Sequence, residues 1–342
     1  MKHRTFFWFV LPSATAMLLF IALPIGSIVI QSLFAAHDQV IIEVESCQPL
    51  TGCTTSVAVD QEATRELREA QPLGQWAGLQ NYFNRGHLAT GEVATAWSES
   101  ESLGEFGNAL MNLPFYRAMA FTLTFVFVVT PLTIALGLVI ALAVNAASRA
   151  IRGPLIFFSL LPFIITPLVG SLVLFWMIDA RGILGHALQW LVSDPELSVK
   201  ASTPLMWSML MVYGVWHAAP FAFVVFYAGL QTVNQDTLES ATIDGANRWQ
   251  RVRYVVVPHL MPLVTFVALI QLMDNFRVFE PIVSFSAGAH AQSLSYYIYS
   301  DLSGEIQLLN SAAATSVMTI IGVAILLTPV LIRTWRDFRR PT

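Results

Sequence analysis

The sequence predicts an all-α membrane protein with six transmembrane helices. Three observations predict it. The 342 residues are 55% hydrophobic, with a mean hydropathy of +0.62. Only 12% are charged, about half the roughly 25% of an ordinary soluble domain. Apolar runs of spanning length recur six times, and the connections between them alternate between dense and sparse basic charge. The 23 Phe, 9 Trp and 8 Tyr exclude disorder. A net charge of −4 suggests neither a nucleic-acid partner nor an acidic tail.

A crossing of ~30 Å needs about 20 mostly apolar residues. The first run, Phe6 to Phe34, is too long for a signal-peptide core and has no clear small-residue cleavage site after it, so residues 1–34 are read as an uncleaved helix. The others are Tyr116–Val144, Pro154–Ile178, Leu205–Leu230, Val255–Phe285 and Ala312–Ile332. Lys and Arg are retained on the cytoplasmic side. Lys2 and Arg4 precede the first run; Arg149 and Arg152 follow the second; Arg248, Arg251 and Arg253 follow the fourth; Arg333, Arg336, Arg339 and Arg340 follow the sixth. The opposite connections spread Arg65, Arg68, Arg85, Arg181 and Lys200 over far more chain. Both termini, with the tail 336–342, are therefore expected in the cytoplasm. Residues 116–335 are expected to form a five-helix core.

Residues 35–115 carry eleven Asp or Glu against three Arg. The segment is too long for a plain connection and is expected to fold outside as a small cap or extended loop. The only two cysteines, Cys47 and Cys53, lie in it, around a turn-like Gln48-Pro49-Leu50-Thr51-Gly52. An oxidising location favours a disulfide over two free thiols, worth ~2 kcal/mol locally. A metal site is disfavoured, because a structural zinc needs four ligands.

The connection 234–257 is the most informative segment. Asn234 or Asp236 can cap a helix starting near Thr237. Leu238, Ala241 and Thr242 give that helix a weak apolar face, and Gly245 can end it in a left-handed cap. A second short helix is expected from Trp249 to Val257 before Pro258 opens the next crossing. Helix–glycine–helix at a cytoplasmic face suits a cleft on another protein; the bland alternative is a helix lying on lipid headgroups.

Glu239-Ser240-Ala241, Asp244-Gly245-Ala246, Trp249-Gln250 and Val257-Pro258 together resemble the cytoplasmic signature loop of permease subunits in binding-protein-dependent ABC importers. The family pattern is Glu-Ala-Ala, three residues, Gly, and about nine residues later an aliphatic-X-Leu-Pro segment; Ser240 and Val257 depart from it mildly. Ala228-Gly229-Leu230-Gln231, Ser293 to Tyr299 and Ala312-Ala313-Ala314 resemble the carbohydrate branch. Ser286-Ala287-Gly288-Ala289-His290 departs from the glycine-rich turn common there. The long acidic loop looks like that of the larger maltose-type permease subunit.

The resemblance implies the type I importer permease fold in a bacterial cytoplasmic (inner) membrane. It implies a second, different permease subunit, two cytoplasmic ATPase subunits and an external solute-binding protein as partners. Glu239, Ser240, Ala241, Asp244, Gly245 and Trp249 would couple to the ATPase. This chain has no Gly-x-x-x-x-Gly-Lys-Ser/Thr, no His-Glu-x-x-His and no Gly-x-Ser-x-Gly. No cofactor and no catalysis are expected in it; ATP and Mg belong to the partner ATPase subunits.

Charged groups at membrane depth are costly and are functional candidates by default. Asp274, Arg277 and Glu280 recur every three residues in the fifth run and can pair along one helical face, either around cargo or as a clamp. The resemblance places a polar Asn-Phe pair in the maltose-type sugar site, where Asn275 and Phe276 stand here, and Phe279 flanks them. It also aligns Trp216 with a family tryptophan and Phe163 with an aromatic substrate contact. His217 is either a pathway residue or a packing residue. Pro220 removes a backbone hydrogen bond in the fourth run, and broken helices often line sites. The leading cargo is a sugar, oligosaccharide or glycoside. The alternatives are a charged solute, such as a phosphorylated or sulfonated sugar or a polyamine, and an ion-coupled secondary transporter.

Overall fold

The computed structural model describes residues 3–35, 37, 40–48, 52–304 and 307–339. Among them five helices are long and apolar enough to cross a membrane: Phe6–Ser32, Pro114–Ala146, Thr203–Leu230, Arg248–Phe276 and Leu309–Arg336. The pair Arg149–Ile164 and Pro167–Met177, bent by 93°, makes a sixth span if counted as one.

The chain divides into two compact units, Met1–Tyr116 with Tyr297–Ile320, and Arg117–Tyr296 with Ile321–Thr342.

In the first unit, the carbonyls ending the first span are orphans of the helix. Side chains from distant segments take them up. Asn81 Nδ2 donates to Ser32 O at 2.9 Å and to Phe34 O at 2.6 Å, while Asn310 Nδ2 donates to Phe34 O and Leu73 O. Strand β1 (Phe34–Ala35) pairs antiparallel with Gln75–Trp76, setting the Phe34 and Trp76 rings edge to face at 5.3 Å. Between them Ile41–Gln48 and Gly52–Val59 form an antiparallel hairpin whose register sets Cys47 opposite Cys53. The side chains of both cysteines lie outside the described residues. Helix Gln61–Ala70 is capped by Asp60, and Leu103–Met111 by Ser102. Trp97 meets Phe106 edge to face at 5.0 Å, joining Thr90–Glu99 to Leu103–Met111. His87 is fully buried, between Asn84 Oδ1 and Thr315 Oγ1, each at 2.9 Å.

In the second unit two apolar clusters hold the spans together. One gathers Phe121, Phe125, Leu210, Tyr213, Ile282 and Phe285; the other gathers Ala141, Val144, Ala222, Phe223, Phe226 and Leu260. Small residues such as Ala141 and Ala222, both fully buried, allow the close backbone approach that membrane helices use in place of a hydrophobic drive. Lys200 lies 3.4 Å above the Phe175 ring and donates to Asp179 at 2.7 Å, which holds that carboxyl below its usual range.

Four expectations need correction. The third run is not one helix: Ile165 and Thr166 are extended (ψ 126° and 143°), and the chain turns before Pro167. Proline disfavours the helical conformation of the residue before it and supplies no N–H. The fourth span, in contrast, runs unbroken through Pro220. The fifth span begins earlier and ends earlier than its apolar run. It starts at Arg248, so the second short helix is continuous with the crossing. It stops at Phe276, with Arg277 as its cap, and Glu280–Ser284 is a separate turn of helix. Pro281 explains the stop, because its ring would collide with the carbonyl of Arg277 in a continuing helix.

Two spans widen by a π turn just ahead of a proline: Leu18–Ala22 before Pro24, and Val252–Val256 before Pro258. In each the residue preceding the proline donates five residues back, Leu23 to Leu18 O and Val257 to Val252 O. Widening that turn shifts the carbonyl that the proline ring would strike.

Candidate functional site: an aromatic cavity and an exposed coupling element

The break in the third run leaves carbonyls that a membrane helix cannot expose to lipid. The fourth span supplies donors one turn apart. Tyr213 OH donates to Pro167 O at 2.8 Å, and His217 Nε2 donates to Ile165 O at 3.2 Å. The rings of Tyr213 and His217 stack at 5.7 Å, fixing both donors toward the break.

Beside this junction lies a cavity of about 590 Å³, within the size range of small-molecule sites. The second span contributes Phe125, the third Phe163 and Pro167, and the fourth Tyr213, Gly214, His217, Ala218 and Phe221. The end of the fifth contributes Ile270, Gln271, Asp274, Asn275, Arg277 and Val278, and the short helix after it Glu280 and Pro281. Phe163 and Phe221 stack at 6.5 Å with an interplanar angle of 26°, so one wall is an aromatic plate. The rest of the lining includes a polar group. Arg277 donates to Asp274 at 2.8 Å, one helical turn away. Glu280, on the far side of the break, is outside the ion pairs of the described residues, so the expected three-member row along one face is a pair plus a separate carboxylate. Asn275 is buried and donates to Thr130 Oγ1 of the second span at 3.0 Å.

The structure thus brings together Phe163, His217, Asp274, Asn275 and Arg277. It separates the Asn275–Phe276 pair: Phe276 is buried with its ring against Gly322 of the last span, and a Cβ there would lie 3.1 Å from it. Trp216 and Phe279 also fall outside the lining. Trp216 is 40% exposed, with its ring 6.0 Å from that of Tyr213. Sequence reasoning missed Tyr213, Phe221 and Gln271. Gln271 stands one turn before Asn275, so a second amide at membrane depth was the available signal.

The connection between spans four and five is built by local rules. Asn234 caps helix Gln235–Ile243 by accepting from Asp236 N at 2.9 Å. Gly245, at φ +82°, closes it: Gly245 N donates to Thr242 O and Ala246 N to Ala241 O, the paired bonds of a left-handed helix end. Asn247 and Gln250 then form a reciprocal capping box that starts the next helix. Glu239, Ser240 and Asp244 are exposed, Ala241 is half-buried, and Trp249 is 69% exposed. Ile243, absent from the sequence expectations, is 86% exposed and extends the apolar part of this surface.

Residues 133–338 match the family described as binding-protein-dependent transport system inner membrane component. The chain belongs to that family. As an inner membrane component of such a system, it is a transport permease subunit. It is 27% identical to the probable ABC transporter permease protein y4oQ of Sinorhizobium fredii, over 71% of this chain and 78% of that one. It is 28% identical to the sn-glycerol-3-phosphate transport system permease protein UgpA of Agrobacterium fabrum, over 65% and 77%. It is 27% identical to the trehalose transport system permease protein SugA of Mycobacterium tuberculosis, over 65% and 68%. Among solved structures, the fold of this permease is similar to a chain of a bacterial ABC transporter that imports the acidic polysaccharide alginate. The TM-score is 0.64 and the identity 18%, with 98% of this chain and 96% of that one covered.

Proposed function

We propose that this permease subunit lines the translocation pathway for an uncharged sugar or short oligosaccharide. An external binding protein delivers the cargo, a second permease subunit completes the pathway, and two cytoplasmic ATPase subunits drive it. ATP and Mg are bound by those ATPase subunits, and this chain is non-catalytic. The name of the trehalose relative supports a carbohydrate cargo, while that of the glycerol-3-phosphate relative names a phosphorylated polyol. The observation that carries the choice of an uncharged one is the cavity's charge. Among the described residues its one lining arginine, Arg277, is paired with Asp274 at 2.8 Å, and Glu280 remains. An anionic cargo would meet a wall with no unpaired arginine or lysine among the described residues. A neutral polyol needs hydroxyl partners and a flat apolar face, which Gln271, Asn275 and the Phe163–Phe221 plate offer.

Coupling would run through the Gln235–Arg251 element. Glu239 would accept charge-assisted hydrogen bonds from a basic cleft on the ATPase, with Ile243 and Trp249 filling its apolar part. Closure of the ATPase pair would carry this element, and with it the fourth and fifth spans. Both termini lie on the same cytoplasmic side in this reading.

The test is a thermal-shift panel on the partner binding protein, with neutral sugars against phosphorylated and uronic sugars, followed by uptake of the best ligand into vesicles holding the assembled transporter. A neutral sugar should stabilise the binding protein and be taken up. Uptake of only anionic ligands would overturn the proposal.

A further inference from the structure

Helix Ile183–Val192 lies in the connection between the third and fourth spans, where the mechanism above has no use for it. It is apolar but only 10 residues long, about 15 Å, half of what a crossing requires. Its inner side, through Leu184 and Leu188, packs on the core cluster. Its outer side presents Ile183, Ala187, Trp190 and Leu191, which recur as one helical face. Ile183 is 77% exposed, Trp190 82% and Leu191 71%. A helix apolar on both sides asks for a second apolar cover.

Three features identify that cover. First, exposed charges bracket the helix, Arg181 before it and Asp194 and Glu196 after it. Neither end enters hydrocarbon, where such charges are costly. Second, the loop is pinned. Lys200 ties back to Asp179 across its ends, and Gly185 presses on the chain so closely that a Cβ would sit 1.9 Å from Asp179 O. Third, the helix packs beside Pro167–Met177, the half-span whose Leu168, Leu172 and Trp176 form an exposed apolar row. The short helix thus borders a half-span that carries an exposed apolar row of its own.

We propose that Ile183–Val192 lies in the plane of the bilayer at the boundary of headgroups and acyl chains, with the Ile183–Ala187–Trp190–Leu191 face in lipid. It would anchor the end of the broken third span, which borders the cavity, against tilting. Amphipathic tryptophan prefers this depth, and an in-plane helix needs only one lipid-facing side.

The test places single spin labels through Ala187→Cys and Trp190→Cys, in a Cys47→Ala/Cys53→Ala background. Leu172→Cys serves as hydrocarbon reference and Glu196→Cys as aqueous reference. The transporter, with its copurifying subunits, is reconstituted in phosphatidylcholine with a minority of phosphatidylglycerol. Collision with oxygen relative to a water-soluble nickel complex should be several-fold higher at 187 and 190 than at 196. Nickel access equal to that at 196 would mean a face in water. Exclusion of both reagents would mean a face covered by protein. Either overturns the proposal. A check free of labels uses headgroup-proximal brominated phosphatidylcholine: Trp190→Phe should lower the quenchable share of tryptophan emission, and unchanged quenching counts against the proposal.

Discussion

Asn275 stands where a pathway role and a structural role meet. Its amide reaches Thr130 across to the second span, and its side chain also borders the cavity. An interhelical hydrogen bond of this kind in a membrane contributes only ~0.6 kcal/mol on average, at most about 1.7. Asn275→Ala should therefore leave the complex assembled and its ATP hydrolysis responsive to the liganded binding protein, while uptake at limiting cargo weakens. Wild-type uptake would remove Asn275 from the pathway. Arg277 is the complementary probe. Its pair with Asp274 is local, with both side chains at least half exposed, and such i, i+3 pairs are worth only a few tenths of a kcal/mol. Arg277→Ala should then leave the yield of assembled complex little changed. A collapse in yield would recast the pair as a structural clamp.

At the scale of the element, the helix–Gly245–helix unit depends on one backbone angle. At φ +82° a β-carbon meets no atom within 4 Å, so a substitution there strains the backbone rather than the packing. An L-residue in the left-handed region costs roughly 1–2 kcal/mol, enough to reorient Glu239 and Ile243 relative to Trp249 without affecting insertion. Gly245→Val should insert normally yet separate ATP hydrolysis from uptake. Gly245→Asn, which tolerates the left-handed conformation better, should retain most coupling. Normal uptake by a correctly inserted Gly245→Val protein would refute this role. The π turns express the same economy: each absorbs a proline so that a span continues instead of ending.

At the scale of the molecule, stability should depend on pH through His87. Burial lowers its pKa below the ordinary 6.5, so the folded chain keeps it neutral while the unfolded chain takes up a proton. Stability then falls as pH drops through about 6.5. Asp301 acts oppositely: burial raises its pKa, so the folded chain protonates first and gains stability as pH falls toward 3.8. Melting temperature should decline between about pH 7.5 and about pH 5.5, and His87→Gln, which keeps polar contact with Asn84 and Thr315, should flatten that decline. An unchanged pH profile in His87→Gln would discard the assignment.

Local rules made much of this protein legible. Apolar run length located five helices of spanning length and the bent pair that makes a sixth if counted as one, because the bilayer fixes how many residues a span needs. Asn234 and Gly245 marked the ends of the coupling helix, because capping is chemistry between near neighbours in the chain. The prolines were the limit. Pro167 opens a new helix after a break while Pro220 and Pro262 ride inside theirs, and nothing in the residues alone separates the cases. A broken membrane helix survives only where other groups satisfy its freed carbonyls. Here these are Tyr213 and His217, about fifty residues downstream of the break. The cavity had the same origin. Phe163 and Asp274 stood out as candidates in separate runs and Phe221 read as an ordinary membrane residue, with nothing in the sequence to join the three. Only the bend at Thr166 and the stop at Phe276 turned them toward a common space, because both rest on contacts made after the chain folds.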